Sequence, residues 1–421
     1  MISVFTVSHQ PRFLDECLRS LQMQTHEDWE WVLVLNDGAR WRPDGADPRM
    51  RIVVADELAG VGAAKQRACA EARGDVLVEL DHDDVLTADA LAEISRAFSE
   101  HPDAALVYSH AAQILENGAR DETRFDASYG WAYRDVTVNG NCLQYPEALE
   151  PTPHNVSYIW YAPNHVRAFR AEAYEQAGGY DPDRRVLDDQ DLMCRLYQVG
   201  SFHLIDQCLY LQRMHGRNTQ READTNAFIQ SETVTLYDRW IEANALAWCR
   251  RERLHALDLG AGHGKPNGYL GVDRRPGERV DIVCHLPARL PMKDDSVGVI
   301  RAVDFLEHVQ DKVALINELY RVLAPGGLLL SQTPSADGRG AFQDPTHVAF
   351  YNEHSFWYYT DPRYQAYVPE VIARFQVSRL VTYFPTEWHE RNQIPYVCAN
   401  LIALKDGAPR NGGLKDDRKE H

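Results

Sequence analysis

The sequence lacks three features that would each point to a particular class of protein. Its apolar runs fall short of the roughly 20 residues that span a bilayer, and MISVFTVSHQPRF has no basic start followed by a long apolar stretch. Its eight cysteines include no CxxC pair, which argues against zinc and disulfide frameworks. A formal net charge of −18 leaves no broad basic surface for nucleic acid or anionic lipid. We therefore expect a cytoplasmic protein with reduced thiols, no transmembrane segment and no nucleic acid partner.

The chain does contain what two α/β domains need. Its 421 residues are 44% hydrophobic and 25% charged, close to the average for soluble globular proteins. Apolar strand patterns alternate with helical patterns in both halves, which predicts mostly parallel sheets covered by helices. A helical linker is predicted over residues 223–251, between a first domain at 1–222 and a second at 252–405. The polar tail at 406–421 is expected to be disordered.

Acidic residues follow three predicted strands of the first half. Asp37 follows WVLVLN, Asp56 follows RIVVA, and Asp81 and Asp83 follow VLVEL. Because the carboxyl ends of parallel strands meet at one edge of a sheet, these side chains should surround one crevice. The spacing of Asp81 and Asp83 suits two carboxylates that hold Mg²⁺ or Mn²⁺ together with substrate phosphates. A solvated acidic turn is the alternative interpretation.

Three segments of the first half stand in an order that resembles the inverting family-two glycosyltransferases with a GT-A fold. They are TVSHQPRFLDECLRSLQMQTHEDWEWVLVLNDGA, GVGAAKQRACAEARGDVLVELDHDDVL and AFRAEAYEQAGGYDPDRRVLDDQDLMCRLY. The resemblance implies a nucleotide-sugar donor, a divalent metal ion (Mn²⁺ or Mg²⁺) and a carbohydrate or glycoconjugate acceptor. It assigns donor binding to Asp37, Lys65, Asp81 and Asp188, metal binding to Asp81 and Asp83, and deprotonation of the acceptor hydroxyl to Asp189.

Other residues of the first half have two interpretations each. His215, in QRMHGRNT, stands where some of these enzymes supply a third metal ligand, but a surface histidine in a polar turn fits equally. Asp188 and Asp189 also suit a helix N-terminus, where the helix dipole favours acids. The segment expected to line the acceptor side, or simply to pack, contains His154, Trp160, Asn164 and His165.

A glycine-rich segment, LHALDLGAGHG, opens the second half. The residues predicted to bind a nucleotide-like cofactor are Asp258, Gly260, Gly262, Gly264 and Asp273. Together with DFLEHV and ELYRVLAPGGLLLSQTPS, the segment resembles the class I methyltransferases, which implies S-adenosylmethionine as the cofactor and disfavours a nicotinamide enzyme. Val272 follows Gly264 by only eight positions, whereas a helical crossover needs at least about 10–12 residues. The Rossmann-like fold should therefore have a shortened first crossover.

The second half also offers bases for methyl transfer to a hydroxyl group. His308, beside Glu307 in FLEHV, and His347 in FQDPTHVAFY are the candidates, since an imidazole can take a proton near neutral pH. Packing roles for both histidines are the alternative. His285 stands where related methyltransferases often place an Asp near the adenine, which leaves the adenine contact open.

These features predict a bifunctional enzyme that transfers a sugar with inversion and methylates the product or a related sugar, most simply on oxygen. One rival is an active glycosyltransferase whose methyltransferase-like domain only binds a partner. Another is a protein acceptor in place of a glycan. The sequence leaves open the donor, the acceptor, the methylated position, the order of the reactions and the oligomeric state.

Overall fold

The structure is a computed structural model that describes residues 1–45, 47–58, 60–127, 130–158, 165–216, 223–262 and 264–413. Its contacts divide the chain into an N-terminal unit, Met1–Asn244, and a C-terminal unit, Ala245–His421. Among the described residues, no helix combines the length and the apolar character that a membrane crossing requires. Of the tail expected to be disordered, 414–421 lies outside the described residues, and the domain limits taken from the sequence stay a prediction.

The N-terminal unit contains a large mixed sheet and a separate hairpin. Its strands are β1 (Ile2–Ser8), β2 (Trp29–Leu35), β3 (Met50–Val54), β4 (Val76–Glu79), β5 (Val85–Leu86), β6 (Ala104–Leu115), β7 (Tyr133–Val138), β8 (Asn141–Pro146), β9 (Arg167–Arg170) and β10 (Ser201–Met214). Its helices are α1 (Leu14–Gln22), α2 (Val61–Glu71), α3 (Ala90–Glu100), α4 (Pro153–Ser157), α5 (Ala171–Gln176) and α6 (Asp188–Val199). A further helix, α7 (Ala223–Glu252), covers the segment predicted as a helical linker.

The order of the large sheet is β3-β2-β1-β4-β9-β6-β10-β5, and its first four strands are parallel. Strand β9 runs antiparallel to both β4 and β6, and β5 runs antiparallel to β10. The sheet is therefore less uniformly parallel than the alternating pattern predicts, because periodicity reports burial and not strand direction. The segment after β6 includes the hairpin β7–β8, whose Leu143 and Tyr145 are buried against β6 and β10.

Burial explains the central strands and one of the helices that cover them. All seven residues of WEWVLVL in β2 are buried, as expected of a parallel strand covered on both faces. Helix α1 places Leu14, Cys17, Leu18 and Leu21 on one stripe at helical spacing, and this stripe joins the same core. In the parallel register Ser8 lies beside Leu35, so the loops after β1 and β2 emerge at one edge of the sheet.

The C-terminal unit contains one seven-stranded sheet. Its strands are β11 (His255–Leu259), β12 (Leu270–Asp273), β13 (Ile282–Val283), β14 (Val297–Val303), β15 (Leu323–Pro334), β16 (Phe375–Tyr383) and β17 (Tyr396–Ala403). Its helices are α8 (Lys312–Val322), α9 (Glu353–Thr360), α10 (Pro362–Gln365) and α11 (Glu387–Arg391). The order is β13-β12-β11-β14-β15-β17-β16, with β17 antiparallel to both neighbours. The described residues between β11 and β12 contain no helix, so the predicted fold class, including its shortened first crossover, is confirmed.

Candidate active sites

A cavity of about 640 Å³ opens at the carboxyl edge of the N-terminal sheet. Its lining includes every residue that the sequence assigns to the donor, the metal ion or the base in this unit: Asp37, Lys65, Asp81, Asp83, Asp188, Asp189 and His215. His165 also lines the cavity, whereas His154 is buried on α4 beside Tyr158. Trp160 and Asn164 lie outside the described residues. Of the strand-end acids predicted to surround one crevice, Asp37, Asp81 and Asp83 line this cavity, whereas Asp56 is not among its lining residues.

Lys65 connects three elements at the base of this cavity. Its Nζ lies 2.5 Å from Glu79 Oε1 on β4 and 2.9 Å from Asp188 Oδ2 on α6. Burial alone would lower the pKa of Lys65, but the charges of Asp188 and Glu79 raise it well above its usual value. The ammonium group is therefore charged and held. Helix α2 can lie close to the segment that leads into α6 because Gly62 has no side chain: an added Cβ would lie 2.2 Å from the carbonyl oxygen of Asp181.

Asp189, the predicted base, is paired with an arginine that the sequence analysis missed. Its Oδ2 accepts a hydrogen bond from Arg167 Nη1 at 2.6 Å, and the same nitrogen lies 3.5 Å from Glu79 Oε2. Burial acts to raise the pKa of Asp189, but Arg167 and Lys65 together lower it, which keeps the carboxylate ionised. Glu79, also missed, stands directly opposite Arg167 in the β4–β9 register. The available signal was Glu79 at the end of the otherwise apolar strand β4 and Arg167 at the start of RAFR in β9.

The residues predicted to bind a metal ion are partly assembled. Asp83 Oδ2 lies 2.8 Å from His215 Nε2, and both side chains are largely buried. Asp81 is turned toward His165, with 3.8 Å between Oδ2 and Nε2. Burial and the charge of Glu79 raise the pKa of Asp81 to about 7. Among the described residues, these three side chains do not bring three ligand atoms within 4.8 Å of one another.

The side chains predicted to bind a metal ion nevertheless suit a divalent cation. Acidic side chains outnumber basic ones along the cavity lining, and Lys65 and Arg167 are already engaged by Glu79, Asp188 and Asp189. The excess negative charge is thus concentrated at the turn after β4. Carboxylate oxygens and one imidazole are ligands that Mn²⁺ accepts.

The other two polar residues of that turn have local partners. Asp84 is 2% exposed, and its Oδ1 accepts the backbone N–H of Arg213 at 2.6 Å. Asp84 therefore joins the turn to β10. His82 Nδ1 lies 3.3 Å from the carbonyl oxygen of Val7, and its ring meets that of His9 edge to face.

The glycine-rich loop of the C-terminal unit is fixed by backbone hydrogen bonds. Gly260 has a positive φ of 72° and donates its N–H to the carbonyl oxygen of Val272 at 2.8 Å. The N–H of Gly262 donates to Asp273 Oδ2 at 3.2 Å, and the N–H of Arg275 donates to Asp273 Oδ1 at 3.0 Å. Each carboxylate oxygen of Asp273 keeps a lone pair for a hydroxyl group of a ribose. The loop thus fits the cofactor that the sequence implies.

Three further residues of the cofactor prediction differ in their surroundings. Asp258 is buried in β11 and accepts a hydrogen bond from Arg301 Nη1 at 2.8 Å. Burial raises the pKa of Asp258, although Arg301 opposes the shift. An added Cβ at Gly264 would meet nothing within 4 Å, so this part of the loop is open. His285 is exposed just after β13.

The structure brings Glu307, His308 and His347 together beyond the end of β14. Glu307 and His308 belong to a short 3₁₀ turn, Leu306–His308, and the rings of His308 and His347 are 5.0 Å apart, nearly perpendicular. Glu307 is buried and accepts a hydrogen bond from Thr333 Oγ1 at 2.7 Å. Burial raises the pKa of Glu307.

Two segments of the chain match known protein families. Residues 3–159 match glycosyl transferase family 2, and residues 257–331 match a methyltransferase domain. The O-antigen biosynthesis protein RfbC of Myxococcus xanthus is 29% identical over 212 residues, which are 48% of this chain and 15% of the relative. A "Probable S-adenosylmethionine-dependent methyltransferase" of Mycolicibacterium smegmatis is 38% identical over 74 residues, 17% of this chain and 29% of the relative.

The chain therefore spans less than a third of the length of either relative. The crystal structure of S. aureus TarS 1-349 in complex with UDP-GlcNAc shares 13% identity and a TM-score of 0.40, covering 59% of this chain and 70% of that one. The chain therefore carries a segment that matches glycosyl transferase family 2, followed by a segment that matches a methyltransferase domain.

Proposed function

We propose that the N-terminal domain transfers a sugar from a nucleotide-sugar donor to a carbohydrate acceptor with inversion. The cavity that gathers Asp37, Lys65 and Asp83 with the Asp189–Arg167 pair carries this proposal. Inversion requires one carboxylate placed opposite the leaving diphosphate, and Asp189 lies on a different element from the acidic turn after β4. Arg167 holds Asp189 ionised and oriented, ready to accept the proton of an acceptor hydroxyl.

A divalent ion would be held by Asp83 and His215 with Asp81, and when bound it would neutralise the charge of the diphosphate. Lys65, fixed between Glu79 and Asp188, would face the same phosphates.

Sugar transfer with Mn²⁺, measured over a panel of nucleotide sugars, tests this role. Removal of a metal ligand should cost several kcal/mol of transition-state stabilisation, so Asp83→Ala should lower the rate by about 10²–10³-fold. A chelator should do the same to the native chain, and exposed Asp44→Ala serves as the matched control. Unchanged turnover in both Asp83→Ala and the chelator experiment would refute the metal role.

The base is tested separately. Asp189→Asn keeps the shape of the side chain and an oxygen for Arg167, but it cannot take a proton. Loss of general-base catalysis should reduce transfer by about 10²–10⁴-fold while donor binding, measured by the thermal shift with Mn²⁺, persists. A variant that transfers sugar at the native rate would assign the base elsewhere.

We further propose that the C-terminal domain binds S-adenosylmethionine and methylates a hydroxyl group of the transferred sugar or its neighbour. The backbone-fixed loop from Gly260 to Gly262, with Asp273 beneath it, supports cofactor binding. Calorimetry with S-adenosylmethionine should give binding to the native chain and at least about tenfold weaker binding to Asp273→Asn, since one ribose contact is lost. No binding to the native chain would favour a domain that only holds a partner.

The fusion suggests that the two reactions are consecutive. The full chain, supplied with donor, acceptor and methyl-labelled cofactor, should put label into the sugar product. Label in the acceptor without prior sugar transfer would refute this order.

A further inference from the structure

We propose that Glu307, His308 and His347 form a binding site for a divalent transition metal ion in the methyltransferase domain, and that the ion binds the acceptor hydroxyl oxygen. The site itself follows from the geometry, whereas its role rests on the proposed methyl transfer. Ligand atoms from the three side chains lie within 4.8 Å of one another. Two atoms bound to one ion at about 2.1 Å can be up to about 4.2 Å apart, and Glu307 Oε1 lies 3.9 Å from His347 Nε2.

The hydrogen bonds of His308 and His347 place the ring proton on Nδ1. In each ring Nε2 therefore keeps its lone pair for a metal ion. His347 Nδ1 lies 2.9 Å from the carbonyl oxygen of Ala341, which can only accept, so Nδ1 carries the proton. His308 Nδ1 lies 3.2 Å from the carbonyl oxygen of Thr346 and 3.1 Å from the Oγ1 of the same threonine. That hydroxyl already donates to Asp344, so it too accepts from His308. Metal-binding histidines are typically oriented by such an N–H bond to a carbonyl group.

The carboxylate supplies the third ligand. Glu307 is 2% exposed, and its Oε2 accepts the hydroxyl hydrogen of Thr333. Its Oε1 is buried without a hydrogen-bond partner among the described residues. A buried carboxylate oxygen left unpaired is costly, and a bound cation removes that cost. The carbonyl oxygen of Glu307 also accepts the N–H groups of Val348 and Ala349, which fixes the loop that carries His347.

The ligand set selects the class of ion. Two imidazoles and one carboxylate suit Zn²⁺, Fe²⁺, Co²⁺ or Mn²⁺, whereas Mg²⁺ and Ca²⁺ prefer oxygen ligands throughout. Three protein ligands leave coordination positions for a substrate oxygen, and His308 is on the exposed side.

The position of the site suits methyl transfer. Phe305, two residues before Glu307, lies against the glycine-rich loop: a Cβ added at Gly260 would be 2.9 Å from Phe305 Cδ2. The ion would lower the pKa of a bound hydroxyl, whose proton passes to water. The oxygen then forms a bond to the methyl carbon as the carbon–sulfur bond breaks, and the electron pair stays on sulfur. The products are a methyl ether and S-adenosylhomocysteine.

Co²⁺ alone, added to the metal-free full chain, tests the site through its visible absorption. The experiment uses an Asp83→Ala background, so that the N-terminal domain does not contribute. We expect one equivalent to bind with nitrogen–oxygen d–d bands. Even outer-shell changes cost about 10–100-fold in affinity, so His308→Ala, His347→Gln and Glu307→Gln should each cost at least about 100-fold. His354→Ala, an exposed histidine of the same unit, is the control.

A gentler variant protects the test against misfolding. Thr333→Val removes the hydroxyl that orients Glu307 and keeps all three ligands, so Co²⁺ affinity should fall by about 10–100-fold. Thermal unfolding, followed by circular dichroism, checks that each variant keeps its fold. Native-like Co²⁺ affinity in folded His347→Gln, or no Co²⁺ bound in the background chain, would overturn the site.

The role of the ion has its own readout. If the metal-free and the metal-loaded chain transfer methyl groups at the same rate, the ion does not bind the acceptor hydroxyl. The Co²⁺ spectrum would in that case still support the metal site itself. A chain that binds Co²⁺ at these residues and methylates no sugar would instead refute the proposed methyl transfer.

Discussion

The acids Glu79 and Asp189 of the N-terminal cavity and the buried Glu307 of the C-terminal unit differ in how their charge is balanced. In the glycosyltransferase domain, Glu79 and Asp189 are neutralised by Lys65 and Arg167, which are themselves part of the protein. Among the described residues, Glu307 Oε1 has no lysine or arginine partner, and the imidazole of His347 lies 3.9 Å from it. The charges of Glu79 and Asp189 are balanced by the protein before any ligand binds, whereas the charge of Glu307 can be balanced by a bound cation.

The largest effect is expected from a variant that removes the ion pairs of Arg167 with Glu79 and Asp189. Arg167→Met should lower the free energy of unfolding by about 3–5 kcal/mol, because Glu79 and Asp189 would stay buried without their counter-charge. Urea unfolding, with hydrogen exchange at β4 and β9, measures the change. The exposed pair Arg67–Glu71 gives the control, since Arg67→Met should cost at most about 0.5 kcal/mol. Equal costs for the two variants would contradict the comparison.

A smaller effect is expected at Gly260, where backbone geometry shapes the glycine-rich loop of the C-terminal unit. Gly260→Ala places a side chain at a positive φ of 72° and 2.9 Å from Phe305 Cδ2. A cost of about 1–3 kcal/mol and weaker S-adenosylmethionine binding should follow, measured by thermal unfolding and calorimetry. Gly264→Ala in the same loop, where an added Cβ meets nothing within 4 Å, should leave stability nearly unchanged. A native-like Gly260→Ala chain would show that the loop tolerates a side chain there.

Neighbouring acids in one turn should differ in their response. Asp84→Asn keeps an oxygen that accepts the N–H of Arg213, so it should cost less than about 1 kcal/mol and change sugar transfer by less than about fivefold. Asp83→Asn removes a charge from the pair with His215 and should cost far more activity. Transfer rates of both variants at saturating donor give the comparison, and a larger loss for Asp84→Asn would reverse the assignment.

The smallest effect concerns the surface ion pair between Arg40 and Asp56. Arg40 donates to both oxygens of Asp56, and this pairing, with the Gly38 N–H, lowers the pKa of Asp56 below its ordinary value. The stabilisation is present above that ordinary value and is lost as the pH falls through the lowered pKa. In Arg40→Ala, the carboxyl carbon of Asp56, followed by NMR, should titrate at higher pH. An unmoved titration would mean that Arg40 contributes nothing.

Local patterns in the sequence predict the strand-end residues of both sites. Gly260 follows β11 directly, and Asp81 and Asp83 lie two and four residues after the end of β4, so each strand delivers its residues to the edge of its sheet. The fold class is predictable for the same reason, because alternating strands and helices have few packing solutions.

The partners that control those residues could not be predicted. Arg167 meets Glu79 only because β9 inserts antiparallel beside β4, a pairing that no local period encodes. Thr333 reaches Glu307 from β15, 26 positions along the chain. Sequence patterns thus predict which side chains arrive at a site, and strand pairing decides which charges they meet.

Gly62 gives the pairing of Lys65 with Asp188 an evolutionary consequence. Any side chain at this position would push against the carbonyl group of Asp181, in the segment that leads into α6. Lys65 and Asp188 would then move apart, although neither residue had changed. Homologues that replace Gly62 should therefore carry a compensating change within residues 181–188, so that the two positions vary together or not at all.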